Sequence, residues 1–138
     1  MTTNHQLIHM AKSLRLKHFK GVFMCDELKD IPVHDCMSFI FNFENSDQQG
    51  SHWALAYKRG EEKVFFDSYG THPPVELLQL LGHNVLYSTY QIQSFGSDFC
   101  GEVSLLVALL LDGFNEPSLH KAFIALITKV EVKTTVLL

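Results

Sequence analysis

The chain has few cysteines, and none of them lie close together in sequence. Three among 138 residues, at positions 25, 36 and 100, do not make a disulfide framework, which needs an even and clustered set. Positive charge is also short. Lys and Arg total 11 against 15 Asp and Glu, for a formal net charge of −4. Broad electrostatic binding to nucleic acid is disfavoured, because such binding rests on neutralising phosphates. Long apolar runs are missing too. The longest, Val103 to Leu111, is well short of the roughly 20 residues that span a bilayer as a helix. The opening residues are polar and carry no signal-peptide core. No repeat or low-complexity tract is visible. These absences set the expectation of a soluble, intracellular protein with no membrane partner, monomeric, folding over residues 1–138 as one domain.

What is present is ordinary globular composition, 46% hydrophobic and 19% charged, with disorder excluded over most of the length. Eleven Phe residues can fill a dense core. Lys12, Arg15, Lys17, His18 and Lys20 read as the solvated face of a first helix.

Helical spacing of Leu7, Met10, Ala11 and Leu14 predicts a helix over residues 3–18, broken by Gly21. Residues 19–32 read as irregular. Met37, Phe39, Phe41 and Phe43 alternate with Ser38, Ile40 and Asn42, the pattern of a half-buried strand. After a polar turn, residues 51–58 form a second strand, and Arg59-Gly60-Glu61 leads into a third over 63–67, so the two pair as a hairpin. A short helix over 75–81 is stopped by Gly82, and 84–93 holds one or two more strands. From Cys100 to about Asp112 the pattern is a helix that is apolar nearly all round, hence buried on most sides. Pro117 suits the first turn of a last helix reaching about Ile127. The tail after Lys129 is β-prone.

Four polar residues stand out against this apolar frame. His52 begins one strand, Asp67 ends its neighbour, Gln93 precedes a cysteine by seven residues, and Cys100 opens the buried helix. A thiolate is stabilised at a helix N-terminus by unpaired N–H groups and the helix dipole. An imidazole beside it accepts the thiol proton. A carboxylate on the adjacent strand fixes that imidazole's tautomer. The Cys100 N–H and the Gln93 amide would serve the oxyanion, and Gly101 lets the chain enter the helix without crowding the nucleophile. Each residue alone has a plainer reading: a strand-end histidine, a turn-forming Asp, a polar strand Gln, a buried cysteine. Trp53 reads as part core and part substrate groove. Cys25 and Cys36 near His34 and Asp35 match no common structural zinc spacing, and His5 with His9 reads as a solvated helix face, so no metal is expected.

Taken in order, Gly50-Ser51-His52-Trp53, then Phe65-Phe66-Asp67-Ser68-Tyr69-Gly70, then Gln93 with Cys100-Gly101 resemble the adenovirus-type maturation cysteine proteases (adenain-like). More distantly they resemble the proteases specific for SUMO and other ubiquitin-like proteins. Gly21-Val22-Phe23 with Asp26 is similar to the lead-in of related proteases from viruses and virus-like transposons. The resemblance implies an α+β, papain-like fold, with a mixed central sheet of about five strands packed against the nucleophile's helix. It implies His52, Asp67, Gln93 and Cys100 as catalytic, with Gly50, Ser51, Trp53 and Gly101 lining the substrate site. It further implies a viral or virus-derived endopeptidase that processes capsid precursors beside small or Gly-Gly-type residues, in the virion or the host nucleus or cytoplasm. No bound cofactor is expected; the resemblance would bring an activating peptide or nucleic acid, the latter at odds with the acidic net charge. The alternatives are a peptidase that removes ubiquitin-like modifiers, an acyltransferase with the same thiol chemistry, and a non-catalytic binding module.

Overall fold

The computed structural model describes residues 2–48, 51–92 and 98–137, with side chains described as far as residue 129. Helix α1 spans Asn4–Leu14. Its start is set by a reciprocal cap: the Thr3 hydroxyl accepts the Gln6 N–H at 3.2 Å and the Gln6 side chain accepts the Thr3 N–H at 2.8 Å. It ends four residues before the expected stop, because Arg15 turns left-handed at φ 54° and its N–H closes onto the Ala11 and Lys12 carbonyls.

Residues 19–24, expected to be irregular, form strand β1 (Phe19–Met24). A register shift between Phe19 and Val22, around Gly21, hides the strand alternation. A 3₁₀ turn over Cys25–Asp30 leads to β2 (Cys36–Asn42), followed by β3 (Trp53–Arg59) and β4 (Glu62–Phe66). Helix α2 (Val75–Leu81) lies where the sequence places it, and β5 is a single short strand, Val85–Tyr87. Helix α3 covers Cys100–Gly113 and α4 covers Leu119–Leu137. The β-prone tail is thus helical: α4 continues past the expected end near Ile127.

The strands lie in the order β1-β2-β3-β4-β5. The outer pairs, β1–β2 and β4–β5, are parallel and the inner pairs antiparallel. The fold is therefore α+β around a mixed five-stranded sheet. β2 is buried on both faces rather than half-buried. Phe39, Phe41 and Phe65 pack with Leu28 of the 3₁₀ segment, Ile31 just after it, and Leu77 and Leu81 of α2. On the other face Ile40, Trp53, Leu55 and Tyr57 pack with Leu7 and Ala11 of α1, Leu105, Ala108 and Leu111 of α3, and Leu119 and Phe123 of α4. Covering both faces makes the Ser38/Ile40/Asn42 side interior as well. α4 is fastened where Glu62, at the start of β4, accepts the Ser118 hydroxyl and the Leu119 N–H, both at 2.8 Å. Among the described residues, no helix is long and apolar enough to cross a membrane.

Candidate active site

The sheet's end and the start of α3 meet at one place. His52 immediately precedes β3, Asp67 immediately follows β4, and Cys100 is the first residue of α3. The β3–β4 ladder ends at Leu55↔Phe66, so β4 peels away just where Asp67 begins. Asp67 is 1% exposed, His52 6% and Cys100 2%.

The His52 Nε2 hydrogen-bonds Asp67 Oδ1. Asp67 is itself held by the loop that follows. Its Oδ1 also accepts the Tyr69 N–H at 3.2 Å, and its Oδ2 accepts the Thr71 N–H at 3.0 Å and the Thr71 hydroxyl. Burial would raise the Asp67 pKa, but the donors of His52 and Thr71 hold it below the ordinary carboxylate range.

The imidazole is walled on both sides. Tyr69 lies parallel to it, centroids 4.0 Å apart and planes 7° apart, and Phe43 meets it edge-on at 5.2 Å. Residues 67–70 turn away from β4, the Gly70 N–H donating to the Asp67 carbonyl at 2.9 Å, and this turn carries the Tyr69 ring back over His52. The Nδ1 atom is buried with no partner at hydrogen-bonding geometry among the described residues. The Cys100 thiol nonetheless couples to the ring without an aligned hydrogen bond. Burial works to lower the His52 pKa, yet Asp67 and Cys100 together raise it to about 9. Burial would raise the Cys100 thiol, but His52 and the backbone N–H groups of Trp53 and Gly101 bring it below its usual value. The thiol proton is thereby drawn toward the imidazole. Cys25 shows the opposite case: burial, with Glu76 alongside, pushes its thiol up to about 12.

The other expected site residues divide. Gln93 and Gly50 lie outside the described residues. Ser51 is exposed and its N–H donates to Asn42 Oδ1 at 3.2 Å, steadying the chain ahead of His52. Trp53 is a core residue, 3% exposed, and its indole N–H donates to the Thr2 carbonyl at 3.0 Å. Gly101 sits beneath α1: a Cβ there would come within 2.7 Å of the Leu7 side chain and 3.3 Å of the Trp53 ring. Sequence reading missed Tyr69, Thr71 and Phe43 as wall and support. The hairpin register and the Asp67-Ser68-Tyr69-Gly70 turn were the available signals.

The loop holding Asp67 closes on Gly70, whose φ is +75° and whose Cβ position lies 2.4 Å from the Thr89 carbonyl oxygen. A side chain fits neither the dihedral nor the space. Gly70→Ala should therefore lower stability by about 2–4 kcal/mol in urea unfolding and loosen the Asp67–His52 bond with it. A variant as stable as wild type would refute this account of the loop.

A thiol, an imidazole and a carboxylate brought together in this way are the groups that nucleophilic catalysis requires. The chain matches no family model and no curated protein. Its chemistry is therefore read from its own residues.

Proposed function

We propose that this protein is a cysteine endopeptidase of the adenain-like type on a papain-like fold, with Cys100 as nucleophile, His52 as general base and acid, and Asp67 as the residue that orients the imidazole. The observation that carries the reading is a buried imidazole hydrogen-bonded to Asp67 and electrostatically coupled to a thiol at a helix N-terminus. The order His, Asp, Gln, Cys along the chain supports the same reading. In this scheme the Cys100 thiolate attacks a peptide carbonyl carbon. The His52 imidazolium gives its proton to the leaving amine, and a thioester remains on Cys100. Water, losing a proton to His52, then releases the acid and frees the sulfur. Gln93 and the Cys100 N–H are assigned to the oxyanion. Protein substrates cut beside small residues, capsid precursors foremost, are the proposed class.

The test is alkylation by iodoacetamide across pH, followed by intact mass and site mapping, with His52→Ala beside wild type. Cys100 should label with a midpoint below the ordinary thiol range, and Cys25 should not. At pH 6 the variant should label Cys100 on the order of 10²-fold more slowly, since a free thiol near pKa 8.5 is almost wholly protonated there. Limited reagent access to the sulfur slows labelling at every pH in both proteins without moving the midpoint, so access and ionisation separate. Three cysteines reacting alike would refute the assignment. Cleavage mapping on a peptide library and on tagged ubiquitin-like proteins then sorts the substrate. A preference for bulky residues at the two positions before the cut would contradict the proposed class.

A further inference from the structure

We infer that the backbone N–H of Trp53 is a catalytic group that holds the Cys100 sulfur as thiolate, and that the departure of β4 from the sheet exists at this point to free it. The inference rests on the peptidase reading above. In β2–β3, Phe43 N–H donates to the His52 carbonyl at 3.2 Å, so the next pair, Asn42↔Trp53, is a non-hydrogen-bonded one. The Trp53 N–H consequently points away from β2, toward the place where β4 would continue. The β3–β4 ladder has already ended at Leu55↔Phe66. In a continuous sheet that N–H would be spent on β4. Here it donates to Cys100 Sγ at 3.4 Å, inside the buried interface between β3 and α3.

The donor is fixed on both sides. Trp53 is anchored through its indole to the Thr2 carbonyl and packs against the Gly101 backbone, so the N–H cannot swing away as a side-chain donor would. In the resting enzyme the proton leaves Cys100 for His52, and the Trp53 N–H balances the charge left on sulfur. When sulfur bonds to the substrate carbon, its electron pair enters the C–S bond and the charge passes to the carbonyl oxygen. The N–H then has no anion to hold. The same N–H therefore favours thiolate in the free enzyme and regains it when the thioester is hydrolysed.

The experiment replaces Trp53 in the full chain by its α-hydroxy acid, which exchanges this N–H for an ester oxygen and keeps the indole. No ladder bond donated by residue 53 is lost, and a circular dichroism melt checks that the chain folds. The expected result is a rise of about one unit in the pH midpoint of Cys100 alkylation, or about tenfold slower labelling at pH 6. An unchanged midpoint in a folded variant overturns the inference. A second measurement needs no variant backbone: the Trp53 amide proton resonance should move with the Cys100 titration in native protein and lie still in Cys100→Ala. An amide indifferent to that titration also overturns the inference. The peptidase reading fails separately, when native Cys100 itself shows no depressed midpoint.

Discussion

His52→Ala should lower kcat/KM for peptide cleavage by about 10³–10⁴-fold and abolish the alkaline limb of the pH profile. The variant loses both the proton acceptor for Cys100 and the proton donor for the leaving amine. Asp67 keeps the Tyr69 and Thr71 donors, so the loop should stay folded, with about 1–3 kcal/mol lost for the missing imidazole bond. On the proposed mechanism the wild-type profile should be bounded on both sides. On the acid side activity should appear as the thiolate forms, below the ordinary thiol range. On the alkaline side it should fall as the imidazolium loses its proton near pH 9. The stability linked to His52 follows the same direction. Its folded pKa lies above the usual 6.5, so the contribution is complete below that value and disappears as the pH climbs through about 9. Peptide hydrolysis from pH 4 to 10, with melting curves at each pH, measures both. A His52→Ala enzyme within tenfold of wild type would remove the histidine from the mechanism.

Much of this arrangement was legible in the sequence, and the parts that were not have physical reasons. Alternating Phe residues located β2, and the apolar run after Cys100 located α3, because burial imposes a period and composition gives it away. The hairpin turn at Gly60 placed His52 and Asp67 at the same end of adjacent strands. β1 was missed because it is an edge strand whose alternation is broken at Gly21, and edge strands bury too little to show a clean period. The end of α1 was missed because nothing in Arg15 itself announces a left-handed turn. The α4 tail was read as β-prone from Val and Thr, whose intrinsic preference is weak and readily overridden. In the site, residue types and order picked out His52, Asp67 and Cys100, which the structure brings together. The support around them came from the turn that brings Tyr69 over His52 and from the strand register that points the Trp53 N–H away from β2, and both are tertiary properties.

Asp67 is the residue whose replacement reaches furthest, and two substitutions separate its roles. Each carboxylate oxygen accepts twice: Oδ1 from His52 and Tyr69, Oδ2 from the Thr71 N–H and hydroxyl. Asp67→Ala leaves these buried donors without an acceptor and should cost about 3–5 kcal/mol, with peptide cleavage down by on the order of 10² or more. Asp67→Asn keeps the shape but offers one oxygen and one NH₂ group. If the oxygen stays with His52 and Tyr69, the amide confronts the Thr71 N–H, donor against donor. The Thr71 hydroxyl can rotate to accept, but its N–H cannot, so one buried donor goes unmet. The ring keeps its orientation and loses the neighbouring charge, which moves the alkaline limb from near pH 9 down toward the ordinary histidine range. Stability supplies the sign test. The Asp67 pKa is depressed in the folded protein, so its contribution is present above the usual carboxylate value near 3.8 and drains away as the pH falls through the lower folded value. The melting temperatures of wild type and Asp67→Asn should therefore differ at neutral pH and converge in acid. An alkaline limb that stays near pH 9 in Asp67→Asn would mean that orientation alone, and not charge, is what Asp67 supplies to His52.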